Sequence, residues 1–512
     1  MKPIGGVLLL TVLAGAGGAL AQSSSGGGPP AVALPASGRN NQGGSVGAAE
    51  LPVAGTTTSV NTLNPSVQIS GPYSGSASSI RAMPFSGRLS LQEALQRGAA
   101  YNLGAIGLAQ SARQTGAQVT VARSALLPNL NGSLGETLQQ SNLAAMGLRV
   151  SVPGFHFPTV VGPFNYFSLQ ATLTENVANL TALHNYRSAQ ATARASQFNL
   201  ENARDLVALA VGGAYLQVLA AQARVDAAQA QFDTANAVFH QSGEQHREGV
   251  LAQLNVDQSQ VRTLTQRQQI ITLRNDLAKQ KINLARLTCL APNDAYQLTD
   301  SFPFSPLPAG SVDAAVAQAA GQRADLKAAQ SQVEAATRAL SAARAERLPS
   351  VAVSGDYQVI GTNPSQSHGA FAVAGTLSIP IWQGGRTAGD IEAAEAVLAQ
   401  RRAELEDTRA QIEAEVRQAY LDLEAAAGQV EVARKNRQVA QEALDMTRAR
   451  MEAGVINTVE VVVAQQTVAG AQLDLIDSVF AHNLAKLSLA RALGRATERI
   501  PTLLEPRTAA QP

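Results

Sequence analysis

Cysteine is almost missing from the chain: Cys289 stands alone in 512 residues. The sequence therefore has no disulfide framework, and no cysteine near the N-terminus where a lipid anchor would need one. An excess of either charge is missing as well. Lysine and arginine number 39 against 38 aspartates and glutamates, a balance without the electrostatic footprint that nucleic acid requires. Aromatic residues make up 4%, and their scarcity beside plentiful Ala, Gln, Leu, Arg and Glu favours long helices over a β-rich globule. Beyond the N-terminal segment no stretch approaches the run of about 18 apolar residues of a spanning helix, so any membrane crossing is expected to use β-strands.

The signatures of catalysis are missing too. There is no glycine-rich phosphate loop, no nucleophile elbow and no cysteine paired with a base. The histidines, His156, His184, His240, His246, His368 and His482, show no metal-binding spacing, and His240 and His246 would face different sides of a helix. The expectation is a protein without catalytic residues, cofactor or metal. If it moves anything, a partner must supply the energy.

What is present begins with Lys2, an apolar run centred on Val7 to Leu13, and Ala19-Leu20-Ala21, the small-x-small form of a signal-peptidase site. Residues 1–21 are expected to be a signal peptide, which implies export. From Gln22 to Ser86 the chain is rich in Ser, Gly, Pro, Thr and Asn and is expected to be a disordered leader, because it offers too little apolar surface to offset the entropy of ordering. Structure is expected from near Leu89.

The remainder repeats itself once. Ala214-Tyr215-Leu216 recurs as Ala419-Tyr420-Leu421, Gly249-Val250 as Gly454-Val455, and Leu284-Ala285-Arg286 as Leu489-Ala490-Arg491, each 205 positions later (420 − 215). Leu127-Pro128 recurs as Leu348-Pro349 at an offset of 221 (348 − 127), so the first copy is longer ahead of its tyrosine. The extra residues are placed in one Gly/Pro-rich loop from Ser141 to Pro163, at a surface end. Boundaries follow at 87–304 and 308–504 for the copies, with a disordered tail at 505–512.

Each copy reads as helix, strand, loop, strand, very long helix, tip and long helix. Proline is missing between Pro380 and Pro501, and Ile391, Leu398, Leu405 and Ile412 recur every seventh residue, as do Val416, Leu423 and Val430. That spacing is the seam of helices packed side by side. A helix from Gly385 to Ala453 would be roughly 100 Å long. Val351, Val353, Tyr357 and Val359 alternate with Ser354, Asp356 and Gln358, and Phe371, Val373, Leu377, Ile379 and Ile381 with Ala372, Ala374, Thr376 and Ser378. In the first copy Phe167, Leu169 and Leu173 alternate with Ser168, Gln170, Thr172 and Thr174, whereas Gly132, Gly135 and Glu136 interrupt the strand after Pro128. Strands of this length suit a membrane barrel, although half-buried strands of soluble sheets alternate in the same way. Four strands cannot close a barrel, so a membrane form must oligomerise; two copies or three would both supply enough.

The ordered set of motifs resembles the TolC-like outer membrane factor, or outer membrane efflux protein, family. The match consists of the opening helices LSLQEAL and SVDAAVA, the Leu-Pro pairs, the step Trp382-Gln383-Gly384-Gly385-Arg386, the Ala-Tyr-Leu segments, the Gly-hydrophobic tips and the closing LAR, over about Leu89 to Leu504. The first copy departs from it, with Asn176 and Leu180-Thr181 where the second has Pro380 and Gly384-Gly385. The resemblance implies a mainly α protein with a small β part. Long coiled-coil helices would form a periplasmic α-barrel, and four strands per chain would enter a trimeric, twelve-stranded outer-membrane β-barrel. It further implies an exit duct of a multi-component efflux or secretion system, working with a periplasmic adaptor and an inner-membrane efflux pump or secretion transporter, in contact with outer-membrane lipid. A structural coiled-coil envelope protein and a stand-alone porin are the alternatives.

Two groups of residues are candidates for function. Gly249, Val250, Leu251 and Ala252, and Gly454, Val455, Ile456 and Asn457, stand where long helices reverse; the resemblance turns these tips toward the adaptor. Glu460 and its counterpart Asn255 lie just past the tips, and the resemblance places Glu460 in a ring of carboxylates at the periplasmic entrance. Val463 stands where related channels carry a second acid, so closure is expected to rest on Val459, Val462 and Val463.

Overall fold

The computed structural model describes residues 44–53, 62–77, 83–143, 145, 158–291, 295–301, 304–306, 310–453, 455 and 458–504. The expected signal peptide, the tail from 505 and most of the loop after Ser141 lie outside the described residues.

The leader is the first correction. β1 (Val46–Val53) and β2 (Thr62–Ile69) pair as antiparallel neighbours, and a short 3-10 turn at Gly71–Ser74 follows them. Val46 and Tyr73 are buried, with Val67 and Ile69 packed beside them, in the largest core cluster. These few apolar residues could not build a core of their own; they cover one built by the helices. Gly213 permits the close approach, because a Cβ there would collide with Val67.

Each copy opens with a helix broken once. α1 (Leu91–Tyr101) and α2 (Leu103–Ser124) meet at Asn102; α5 (Val312–Gln322) and α6 (Ala324–Ala345) meet at Arg323. The break sites are 221 apart (323 − 102), as are the ends of the helices. Asn102 leaves helical geometry and its Oδ1 accepts from the Gly104 N–H at 2.9 Å, capping α2. Ser90 and Ser311 cap α1 and α5 in the same way.

The long helices then obey the other offset. α3 (Leu180–Arg247) and α4 (Gln253–Thr288) are followed 205 positions later by α7 (Arg386–Glu452) and α8 (Thr458–Ala492). With 68 and 67 residues, α3 and α7 each extend about 100 Å. Leu398, Leu405, Ile412, Val416 and Val430 are buried along α7, the seam that the seven-residue spacing indicated. α3 does contain a stretch apolar and long enough to cross a membrane, but 72% of that window is buried within the chain, as in a core helix. α9 (Ala496–Leu504) closes the chain with Ile500 and Leu504 buried.

β3 (Arg88–Leu89) and β6 (Gln297–Leu298) make a short parallel pair, and four further strands form one antiparallel sheet: β4 (Asn129–Asn142), β5 (Val160–Ala178), β7 (Ser350–Gly361) and β8 (His368–Ser378), in the order β4-β5-β7-β8. β4 and β5 have 14 and 19 residues against 12 and 11 in β7 and β8. Much of the first copy's additional length therefore extends the hairpin itself and not only its loop, which corrects the sequence expectation. β5 passes into α3 through the single capping residue Asn179, whereas β8 reaches α7 through Gly384 and Gly385, both left-handed.

The core forms a belt around the middle of the long helices, where α1, α2, α5, α6 and α9 flank them. Here the repeated Ala-Tyr-Leu finds its purpose. The Tyr215 O–H donates to Leu89 O at 3.0 Å and lies 3.0 Å from Asp300 Oδ2, which also accepts from the Leu91 N–H at 2.6 Å. Tyr420 faces the corresponding place, its hydroxyl against Gly310. The tyrosine ties the start of the opening helix to the long helix. Tyr215→Phe should cost about 1–2 kcal/mol, the penalty of a lost buried hydrogen bond. Calorimetry of the detergent-solubilised protein should show a lower Tm, and an unchanged Tm would contradict this role.

Candidate functional site: the sheet face, the helix tips and the entrance

The sheet divides its residues by polarity across all four strands. Register places Leu134 opposite Leu169, Leu169 opposite Val359, Leu173 opposite Leu130, and Tyr357 opposite Phe371. These apolar side chains share one face, continued by Val373 and Leu377 and beyond the strand by Ile379 and Ile381. Phe371 is 81% exposed and Ile381 94%. Side chains this apolar and this exposed, in one continuous array, suit lipid and not water. On the opposite face Thr172 Oγ1 donates to Asp356 Oδ1 at 2.8 Å, and Gln170 Nε2 donates to the same oxygen at 3.4 Å. Glu136, Asn165 and Glu175 are polar residues on the apolar side, where Glu136 Oε1 accepts from Asn165 Nδ2 at 3.0 Å.

At the first tip α3 ends and the chain turns through Gly249, whose φ of +75° lies in the left-handed region. The Gly249 N–H donates to His246 O at 2.9 Å and the Val250 N–H to Gln245 O at 2.9 Å, satisfying carbonyls that the helix end leaves open. His246 Nδ1 lies 2.8 Å from Leu251 O, and α4 starts after Ala252. Val250 points into solvent. At the second tip the Val455 N–H donates to Arg450 O at 3.0 Å, the pair equivalent to Val250 and Gln245, and Val455 is likewise exposed. Gly454, Ile456 and Asn457 lie outside the described residues.

Past the second tip, Val459, Glu460 and Val463 share one exposed arc of α8, while Val461 is buried and Val462 half-buried. The structure thus brings the carboxylate together with Val459 and Val463 but turns Val462 partly away. Asn255, at the matching place on α4, is half-buried.

A charged cluster in the belt escaped the sequence. Arg323, 2% exposed, donates through Nη2 to Asp325 Oδ2 at 2.5 Å and through Nη1 to Glu415 Oε2 at 2.7 Å. Arg491, from the closing LAR, donates to Asn202 Oδ1 at 2.8 Å and lies 3.6 Å from Asp325. Asp205 accepts from the Arg495 N–H at 3.1 Å. Burial alone would raise the Asp325 carboxyl, but the hydrogen bond and charge of Arg323, with Arg491 behind it, hold it below its ordinary value. Burial dominates at Asp205, whose carboxyl is raised. Only the recurrence of LAR hinted at this cluster. Its partners come from four helices and share no sequence spacing.

An open sheet with one lipid-compatible face, mounted on two helical hairpins that each have one arm near 100 Å, defines a membrane-anchored protein with a long extension in water. Known proteins share this plan. The family model for the outer membrane efflux protein matches residues 92–289 and 315–495. The Pyoverdine export outer membrane protein OpmQ of Pseudomonas aeruginosa is 25% identical over 408 residues, 75% of this chain and 80% of that protein. The Outer membrane protein OprJ of the same organism is 28% identical over 180 residues, 34% of this chain and only 37% of its own length. The crystal structure of the CmeC outer membrane channel of Campylobacter jejuni superposes with a TM-score of 0.68 at 16% identity, covering 88% of this chain and 99% of that one. The chain belongs to the outer membrane efflux protein family. Membership places it in the outer membrane, and its fold is that of the TolC-like channels.

The first tip can be tested directly. A Cβ on Gly249 would meet open space, so Gly249→Val strains the backbone without a clash, by roughly 1–2 kcal/mol. Hydrogen exchange should quicken at the Gln245–Ala252 amides while the global Tm stays unchanged. Unchanged exchange there would show that the turn does not depend on glycine.

Proposed function

We propose that three copies of this chain close into one exit duct, which passively exports substrate handed over by an inner-membrane efflux pump or secretion transporter through a periplasmic adaptor. The observation that carries this reading is the open four-stranded sheet with a continuous apolar face and free edges at β4 and β8. Backbone groups on such edges cannot stay unpaired in lipid, and three copies supply twelve strands, enough to close a barrel. Family membership favours three copies over two. The helices continue the duct into the periplasm. Helices near 100 Å such as α3 and α7 have no use in a stand-alone porin, and a coiled-coil rod has no use for an apolar sheet face.

In this reading the tips meet the adaptor. A left-handed glycine with one exposed valine offers a small apolar contact to a partner that approaches closely. The exposed arc of α8 lines the entrance, so that three Glu460 carboxylates surround the axis with Val459 and Val463 packed between them. The carboxylates attract cations and repel one another; the valines hold the entrance shut.

Mass measurement of the detergent-solubilised protein should give three times the mass of the mature chain, and finding only monomers or dimers would refute the closed duct. In planar bilayers Glu460→Gln should lose cation selectivity, whereas Val463→Asp should raise conductance by loosening the constriction. Unchanged selectivity would take the carboxylate ring out of the account, and unchanged conductance in Val463→Asp the valine constriction.

A further inference from the structure

The four strands of the sheet contain no lysine and no arginine, and their acids are Glu136, Glu175 and Asp356 alone. Register separates the three. Glu136 lies opposite Phe167 and Glu175 opposite Val353, on the apolar face, whereas Asp356 lies between Thr172 and Ala372 on the polar one. That face is otherwise built of uncharged hydroxyl and amide side chains, among them Asn131, Ser133, Gln170, Thr172, Ser354 and Gln358, with alanines along β8. His368 stands on it opposite Ile360, at the end of the sheet remote from the helices.

Asp356 is also held in one orientation. Thr172 and Gln170 both donate to its Oδ1, at 2.8 and 3.4 Å, and its Oδ2 accepts no hydrogen bond among the described residues. One carboxylate oxygen is thus anchored while the other stays available to water and to passing ions. With neither lysine nor arginine in the strands, no cation of the sheet neutralises it.

In the closed duct proposed above, this face lines the lumen. Twelve strands about 4.8 Å apart and tilted by about 40° enclose a barrel of roughly 12 Å radius, so a carboxylate reaching inward from the wall stands about 9 Å from the axis. At physiological salt a charge is felt over about 8 Å, and three such carboxylates act close to the axis; at 1 M salt the reach falls to about 3 Å and they do not. We infer that Asp356 sets the charge preference of the outer duct, drawing cationic solutes through the barrel and holding back anionic ones. The inference rests on the closed-duct reading and adds a specificity-determining residue at the opposite end of α7 from Glu460.

Conductance reports mainly the narrowest part of a duct, so the potential beside Asp356 is read with a thiol on the same face. In protein of trimeric mass carrying Cys289→Ser and Ser354→Cys, a cationic trimethylammonium-ethyl methanethiosulfonate should react faster than the anionic sulfonatoethyl reagent, each relative to its rate with a free thiol in solution. Any change in the acidity of the thiol itself cancels in this ratio. Adding Asp356→Asn, which keeps the Oδ1 acceptor and removes the charge, should lower the ratio about threefold at about 0.1 M salt and hardly at all at about 1 M. Adding Glu136→Gln instead, on the apolar face, should leave it unchanged. A ratio that Asp356→Asn does not move at low salt, an equal fall in Glu136→Gln, or a cysteine that reacts with neither reagent would overturn the role of Asp356 while the trimeric mass still supports the duct. Protein that is not trimeric would remove both.

Discussion

The backbone groups along the outer edges of β4 and β8 constrain everything else. Water can satisfy unpaired N–H and C=O groups, but in hydrocarbon each costs several kcal/mol. An apolar face of Leu, Val and Phe spread over four strands commits the sheet to lipid, and lipid forbids the free edges. In the proposed duct the chain is therefore incomplete by itself.

A single duplication explains how one chain arrives at this state. The opening helices and the first strand of each copy keep an offset of 221, the long helices keep 205, and the difference is absorbed in the longer β4–β5 hairpin. The belt holds the units together. Tyr215 fixes the opening helix to the long one, and Arg323 draws Asp325 and Glu415 into a buried network at the second helix break. A buried arginine with paired carboxylates contributes little net stability over apolar packing, but removing one partner leaves an uncompensated charge. Such a network favours one arrangement of the helices over others.

Much of this was legible in the residues. Periodicity of seven marked the buried face of α7, alternation marked the faces of β7 and β8, and the repeated tripeptides located the copies, because each reflects contacts close in sequence. The signal failed where distant segments meet. Val46, Val67, Ile69 and Tyr73 are too sparse to predict structure in the leader, yet they are sufficient to cover a core that other helices provide. Arg323 and Asn102 carry no local signal in the sequence, although both sit buried at breaks. β4, with Gly132, Gly135 and Glu136, read as a weak strand, because its order comes from its partner β5. Past the second tip the sequence grouped three valines with Glu460, whereas helix geometry puts only Val459 and Val463 on the exposed arc with it.

The central claim is that both edges of the sheet are paired, each with the other edge of a neighbouring copy. Hydrogen exchange on the protein reconstituted in lipid addresses this directly. If the claim holds, the amides of Asn129–Asn142 and His368–Ser378 will be as protected as those of the interior strands β5 and β7. Rapid exchange along either edge, with β5 and β7 still protected, would mean that the edges stay open and that the sheet does not close a barrel.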